Sequence, residues 1–305
     1  MVAIPTLLLV MVFVFILQRL LPGDPLLVMA GEERDPVVLE ELRKLYGFDQ
    51  PLPVQFLVWM REVLSGNFGV SLRTSIPVTQ LIAQTLPVTI QLAVASIIIA
   101  LLIGIPMGIL AAVKKGTTVD YIASAVSLSG LSIPNFWLGI ILILVVSVQM
   151  RWLPASGFVS VFDNPMEALR VTIMPAFVLG SGLAAALMRH TRSAMLEVLR
   201  LDYIRTARAK GVFERLVVTR HAMRNALLPA ITVAGLEFAF LIGGLVVTEQ
   251  VFNLNGIGRL FVEAVSRSDF ILIQALVMLL ALVFVTMNLV IDMLYGVLDP
   301  RVRHG

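Results

Sequence analysis

The chain has 305 residues, of which 58% are hydrophobic and only 14% are Asp, Glu, Lys or Arg, against about 25% charged in an ordinary soluble domain. With a mean hydropathy of +0.94, a soluble fold has too few charges to cover its apolar surface, which argues against a soluble enzyme, a disordered chain and a nucleic-acid-binding domain. The net charge of +3 reads as membrane topology rather than phosphate binding, and the absence of Cys excludes disulfides, thiolate metal sites and cysteine nucleophiles.

About 20 apolar residues in a helix cross a bilayer, and six stretches of that kind stand out. They run from Met1 to about Leu21, Pro87 to Val113, Tyr121 to Val148, Val171 to Met188, Leu227 to Thr248 and Phe270 to Val297. Lipid supplies no water to unpaired backbone groups, so continuous runs of this length are helices. The expected fold is an all-α, polytopic membrane bundle of six transmembrane helices.

Lys and Arg set the orientation. The segment after the fourth span carries Arg189, Arg192, Arg200, Arg205, Arg208, Lys210, Arg215, Arg220 and Arg224. Lys114 and Lys115 follow the second span, and Arg301 and Arg303 follow the sixth. These segments are assigned to the cytoplasm with both termini, in a cytoplasmic (inner) membrane of bacterial type. The acid-rich segment from Pro22 to Leu86 falls outside. Two short amphipathic helices are expected there, over Pro36 to Leu45 and Gln55 to Leu64, the second with Phe56 and Trp59 at the membrane interface. The chain is read as an N-terminal part, 1–86, with one span and the outer segment, and a five-helix core, 87–305, with a basic loop at about 189–224.

Within the spans, Gly104, Pro106 and Gly108, then Pro134, then Pro175 and Gly180, then Gly243 and Gly244 interrupt the apolar pattern. Small residues let helices approach closely; prolines loosen the hydrogen-bond ladder and allow tilting. Both readings stay open. Glu237 is the one ionisable residue well inside a span, and a charge there costs about 2.5–3.5 kcal/mol, so it faces protein or a water-filled path. Glu237, Pro134, Gly243 and Gly244 are the candidates for lining a path or acting as hinges.

The basic loop holds more structure than topology demands. Tyr203 to Lys210 suits a helix, Gly211 ends it, and Val212 to Thr219 suits a second. Two short helices about a glycine would form a rigid knob able to dock in a groove of another protein.

This loop, Asp202 to Gly211 followed by His221, Arg224, Asn225 and Pro229, resembles the cytoplasmic loop of permease subunits in binding-protein-dependent ABC importers. The similarity is to the dipeptide/oligopeptide branch, which includes glutathione and nickel importers. Further similar stretches are Leu21-Pro22-Gly23-Asp24-Pro25, Gly66 to Ser71, Leu153 to Gly157, Glu249 with Phe252, Gly256 and Gly258, and Asn288 to Asp292. The resemblance implies a type I importer fold, coupling of the loop to ATPase subunits through Tyr203, Arg205, Thr206, Ala207, Gly211, Phe213 and Glu214, and transport by alternating access. It implies as partners a second permease, two ATPase subunits holding ATP and Mg, an external solute-binding protein and membrane lipid, with no nucleic acid. Arg205-Thr206 stands where the general signature has Glu-Ala. No cofactor and no metal are expected on this chain: three dispersed His and no Cys suit no metal site, and the Walker pattern is absent. With no nucleophile–base pair at readable spacing, a transport subunit is favoured over an intramembrane enzyme. A secondary transporter is the weaker alternative, since no repeated halves are visible.

Overall fold

A computed structural model describes residues 3–20, 36–45, 47–227, 235 and 245–298. They form α1 (Ala3–Leu20), α2 (Pro36–Leu45), α3 (Leu52–Leu64), α4 (Val78–Val113), α5 (Thr118–Ser132), α6 (Asn135–Leu142), α7 (Pro165–Val198), α8 (Asp202–Ala209), α9 (Glu214–Leu216), α10 (Ile257–Ser266) and α11 (Phe270–Leu298). α6 runs on into a π-helical stretch, Ile143–Gln149, and α9 into another, Val217–Ala222. Residues 245–251 are also helical.

Among the described residues, α4, α7 and α11 are each long and apolar enough to cross a membrane, and α5 with α6 and its π-helical extension makes a fourth candidate. α1 is an apolar helix of 18 residues over the first expected span. The fifth expected span, with Glu237, Gly243 and Gly244, lies almost wholly outside the described residues. The third differs from expectation: it is not one straight rod, because α5 and the stretch Asn135–Gln149 meet at 100°. Pro134 has no N–H to continue the ladder, and Ile133 before it is extended at φ −82°, ψ 122°, as a residue preceding proline prefers. Pro106 and Pro175, by contrast, are accommodated inside α4 and α7.

The chain divides into two compact units. One comprises Met1–Pro87 with Arg259–Thr286, the other Val88–Gly258 with Met287–Gly305. In the first, Phe15 of α1 packs edge-on against Phe56 at 5.3 Å and beside Trp59 at 5.8 Å. The segment between α3 and α4 folds on itself through a bridge between Val70 and Pro77. It is tied to the turn before α11 by the buried Asp269, which accepts from the Ser71 hydroxyl and from the backbone N–H groups of Leu72 and Leu272.

In the second unit α4 and α7 pack backbone to backbone. A Cβ on Gly104 would stand 2.7 Å from the Ala184 carbonyl, and one on Gly108 the same distance from that of Met188. The Gly-x-x-x-Gly spacing therefore serves close helix packing. Around it lies a core of Leu92, Val178, Leu179, Leu183, Leu187 and Phe252.

Candidate functional site

The site begins where α7 ends. Thr206 and Tyr203 sit on α8, whose eight residues carry Asp202 in the first turn and Arg208 in the last, complementing the helix dipole. Gly211 adopts φ +77°. Its N–H donates to the Arg208 carbonyl at 2.9 Å, and the Val212 N–H donates to the Ala207 carbonyl at 3.2 Å. These two bonds satisfy the last carbonyls of α8 and turn the chain back into α9, a Schellman closure.

The knob has an apolar underside. Ile204 and Ala207 on α8 face Val217, Val218 and Ala222 of the following segment, and these pack with Ala112, Ala194 and Met195 from the ends of α4 and α7. Ile204 and Val217 are fully buried. The loop is thereby fastened to the ends of two long helices and does not swing freely from them.

Its outer face is polar with one aromatic tip. Arg208 grips Glu214 through two bonds, Nε at 3.0 Å and Nη2 at 2.6 Å. This bidentate pairing holds the Glu214 carboxyl below its ordinary value and raises Arg208, against a smaller opposing effect of burial in each case. Asn225 donates to the Tyr203 hydroxyl at 2.8 Å, and that hydroxyl approaches the His221 carbonyl at 3.4 Å. Arg205 extends into solvent with a contact to Asp202 at 3.4 Å. Phe213 is 80% exposed at the turn between α8 and α9, and Leu216 beside it is half exposed.

Thus Tyr203, Arg205, Thr206, Gly211, Phe213 and Glu214 share one small protrusion, while Ala207 turns inward as part of its base. Pro134 stands elsewhere, at the α5–α6 bend. Glu237, Gly243 and Gly244 lie outside the described residues.

Three polar connections were not read from the sequence. Asp120 at the start of α5 is buried and accepts from Arg192 of α7 at 2.6 and 2.9 Å, and from the Gly116 N–H at 3.0 Å. Arg192 is therefore a structural partner as well as one of the basic residues of its segment. Glu249, fully buried, takes the Thr89 hydroxyl at 2.7 Å, and Thr89 in turn accepts from the Ile257 N–H at 2.8 Å. A Cβ at Gly256 would collide with the Glu249 carboxylate, so the small residues at that turn make room for a buried acid. Gln91 is the third: it donates to the Val159 carbonyl and the Thr172 hydroxyl, and accepts from the Val161 N–H, each at 3.0 Å. Gln91 of α4 thus holds the loop that precedes α7.

Apolar helices of membrane-spanning length, with a rigid polar knob between two of them, define a polytopic membrane protein. Comparison with known proteins supplies the family. Residues 104–304 match the binding-protein-dependent transport system inner membrane component, and residues 1–93 match the N-terminal domain of such membrane components. A chain of Brucella abortus (strain 2308), named for a peptide transport system permease, is 43% identical over 99% of this chain and 96% of its own length. The glutathione transport system permease protein of Pectobacterium atrosepticum is 44% identical over the same shares. Among solved structures, a chain of the inward-facing MetNI methionine ABC transporter superposes with a TM-score of 0.57 at 19% identity, over 72% of this chain and 97% of that one. The last likeness concerns the fold alone. The chain belongs to the family of inner-membrane permease components of binding-protein-dependent ABC importers. It is a multi-pass transport component of the inner membrane and not an enzyme.

Proposed function

We propose that this chain forms half of the translocation path of an ATP-driven importer of short peptides. It pairs with a second permease, receives cargo from an external solute-binding protein, and is driven by two ATPase subunits that bind ATP and Mg. Both termini lie in the cytoplasm. The observation that carries the coupling role is the knob: an exposed Phe213 and a polar rim stand on a base in which Ile204 and Val217 are fully buried against α4 and α7. A push on such a knob reaches the long helices directly, because its underside is part of their packing. Alternating access then follows as a shift between inward- and outward-facing populations, biased by ATP on one side and the loaded binding protein on the other. Pro134 at the 100° bend, with Gly243, Gly244 and Glu237, supplies hinge and path candidates.

A second reading, glutathione as cargo, is favoured by the 44% identity to a glutathione permease. Glutathione is itself a short peptide, so the two differ in selectivity rather than mechanism. The test is purification of the tagged chain in mild detergent, identification of co-purifying subunits, and reconstitution with its binding protein. Recovery of ATPase subunits, with ATP hydrolysis stimulated by a dipeptide or by glutathione, supports the proposal and names the cargo. Recovery of the chain alone, moving solute without ATP, contradicts it and favours a secondary transporter.

A further inference from the structure

The second unit holds a cavity of about 340 Å³ between α5 and α7 that the transport reading leaves unused. Ser124, Ala125 and Leu128 of α5 and Met188, Arg189 and Arg192 of α7 stand in its wall. The two arginines are three residues apart on one helix and so share a face. Arg192 is fixed in place. Its Nε and Nη2 donate to Asp120, a buried residue outside the wall that also accepts from the Gly116 N–H. Its Nη1 has no acceptor among the described residues. Arg189 is exposed and makes no ion pair or hydrogen bond with any described residue, and the same holds for the Ser124 hydroxyl. Ser127 differs: its hydroxyl is spent on the Ala185 carbonyl at 2.8 Å and belongs to the packing of the two helices.

A guanidinium keeps its proton in a protein, so the wall carries two positive charges, and Asp120 compensates one of them. No acid stands among the wall residues. Like charges three apart on a helix repel, and one charge is left over, together with the donors of Arg189, Ser124 and one nitrogen of Arg192. A carboxylate or phosphate group meets all of these at once, because its oxygens match the fork of a guanidinium and accept from a hydroxyl. At about 340 Å³, against about 30 Å³ for one water in the liquid, the cavity has room for more than a bare ion. Ala125, Leu128 and Met188 give that room an apolar lining. We propose that the cavity binds one organic monoanion. Its oxygens lie against Arg189 and Arg192, and its apolar part lies on Ala125, Leu128 and Met188. The phosphate of a phospholipid and the carboxylate of a peptide both present this chemistry. Only the second source rests on the importer reading.

The chain has no Cys, so Ala125→Cys places a single thiol in the wall. The full chain, purified in detergent with the subunits that accompany it, is treated with a maleimide, and labelling is read from the mass of this chain. Two pairs of probes are titrated in: phosphatidylglycerol against phosphatidylcholine, which has no net charge, and dileucine against its C-terminal amide. The expected result is that an anionic member slows labelling at concentrations about tenfold lower than its counterpart, as loss of one charge-assisted contact implies. Slowing by phosphatidylglycerol identifies the lipid phosphate as the source, and slowing by dileucine identifies the peptide carboxylate. Arg189→Gln is expected to remove the protection and to leave the melting temperature unchanged, since Arg189 has no partner among the described residues to lose. Arg189→Lys is expected to keep part of it, and Ser124→Ala to weaken it less than Arg189→Gln does. Equal slowing by charged and uncharged members overturns the proposal, as does protection that survives Arg189→Gln. Protection by none of the four probes also overturns it and leaves Arg189 a solvated charge. An Ala125→Cys thiol that does not react even without a probe overturns it too, because another subunit then covers the cavity.

Discussion

Two polar connections in this chain join apolar helices by opposite means. The knob from 199 to 226 buries an apolar base, with Ile204 and Val217 fully covered, and turns Arg205, Glu214 and the apolar ring of Phe213 to solvent. The strap from 67 to 77 does the reverse, closing its polar groups onto the buried carboxylate of Asp269. A loop that satisfies its hydrogen bonds internally is finished as it stands. A loop that leaves an aromatic ring and a ring of charges on its surface has surface to give a partner. The contrast separates a loop closed on its own polar groups from one whose surface stays open, as the proposed docking role requires.

The largest stability effects belong to buried acids. Arg192→Ala leaves Asp120 charged and without its bidentate partner, and is expected to destabilise the chain by about 3–5 kcal/mol, read as a lowered melting temperature in detergent. Asp269→Ala orphans the Ser71 hydroxyl and two backbone donors, an expected loss of about 3 kcal/mol. If Asp269→Ala melts like the unaltered protein, the clasp reading fails.

The knob predicts smaller effects on folding and larger ones on coupling. Gly211 has open space around its Cβ position but φ +77°, so Gly211→Val is expected to cost about 1–2 kcal/mol from the backbone alone, and Gly211→Asn much less. Phe213→Ala is expected to leave the melting temperature unchanged, since the ring is 80% exposed, while sharply reducing cargo-stimulated ATP hydrolysis in the reconstituted complex. Unchanged hydrolysis would remove Phe213 from the coupling surface.

The smallest effect is that of the Arg208–Glu214 pair, worth less than about 1 kcal/mol because both side chains are half exposed and screened. Arg208 lowers the Glu214 carboxyl below its ordinary 4.5. The pair's contribution is therefore full above that value and is lost as the pH falls through the lowered one. A melting difference between the unaltered chain and Glu214→Gln is expected to persist at neutral pH and to vanish in strong acid. A difference that grew with acidity would have the wrong sign.

What could be read from the sequence follows from range. α2 occupies the expected Pro36–Leu45 because its amphipathic period is local, and α8 stops at Gly211 because glycine punctuation is local. Pro134 announced a break in the third span, but the 100° angle goes with the packing of both α5 and α6 against α7, which no local pattern encodes. The buried polar contacts were illegible for the same reason. Asp120 and Arg192 are 72 residues apart, Thr89 and Glu249 160, and Ser71 and Asp269 198. Each residue alone reads as an ordinary surface or topological group, and only the fold brings its partner within reach.

The central claim is that the face carrying Phe213 is the one covered by the ATPase subunits. Because the chain has no Cys, Phe213→Cys and Leu216→Cys each place a single thiol on that face for a maleimide reagent. The account predicts rapid labelling at both positions in membranes that lack the ATPase subunits, and strong protection when those subunits are co-expressed and remain bound. Equal labelling with and without them, in a complex shown to be assembled, would contradict it.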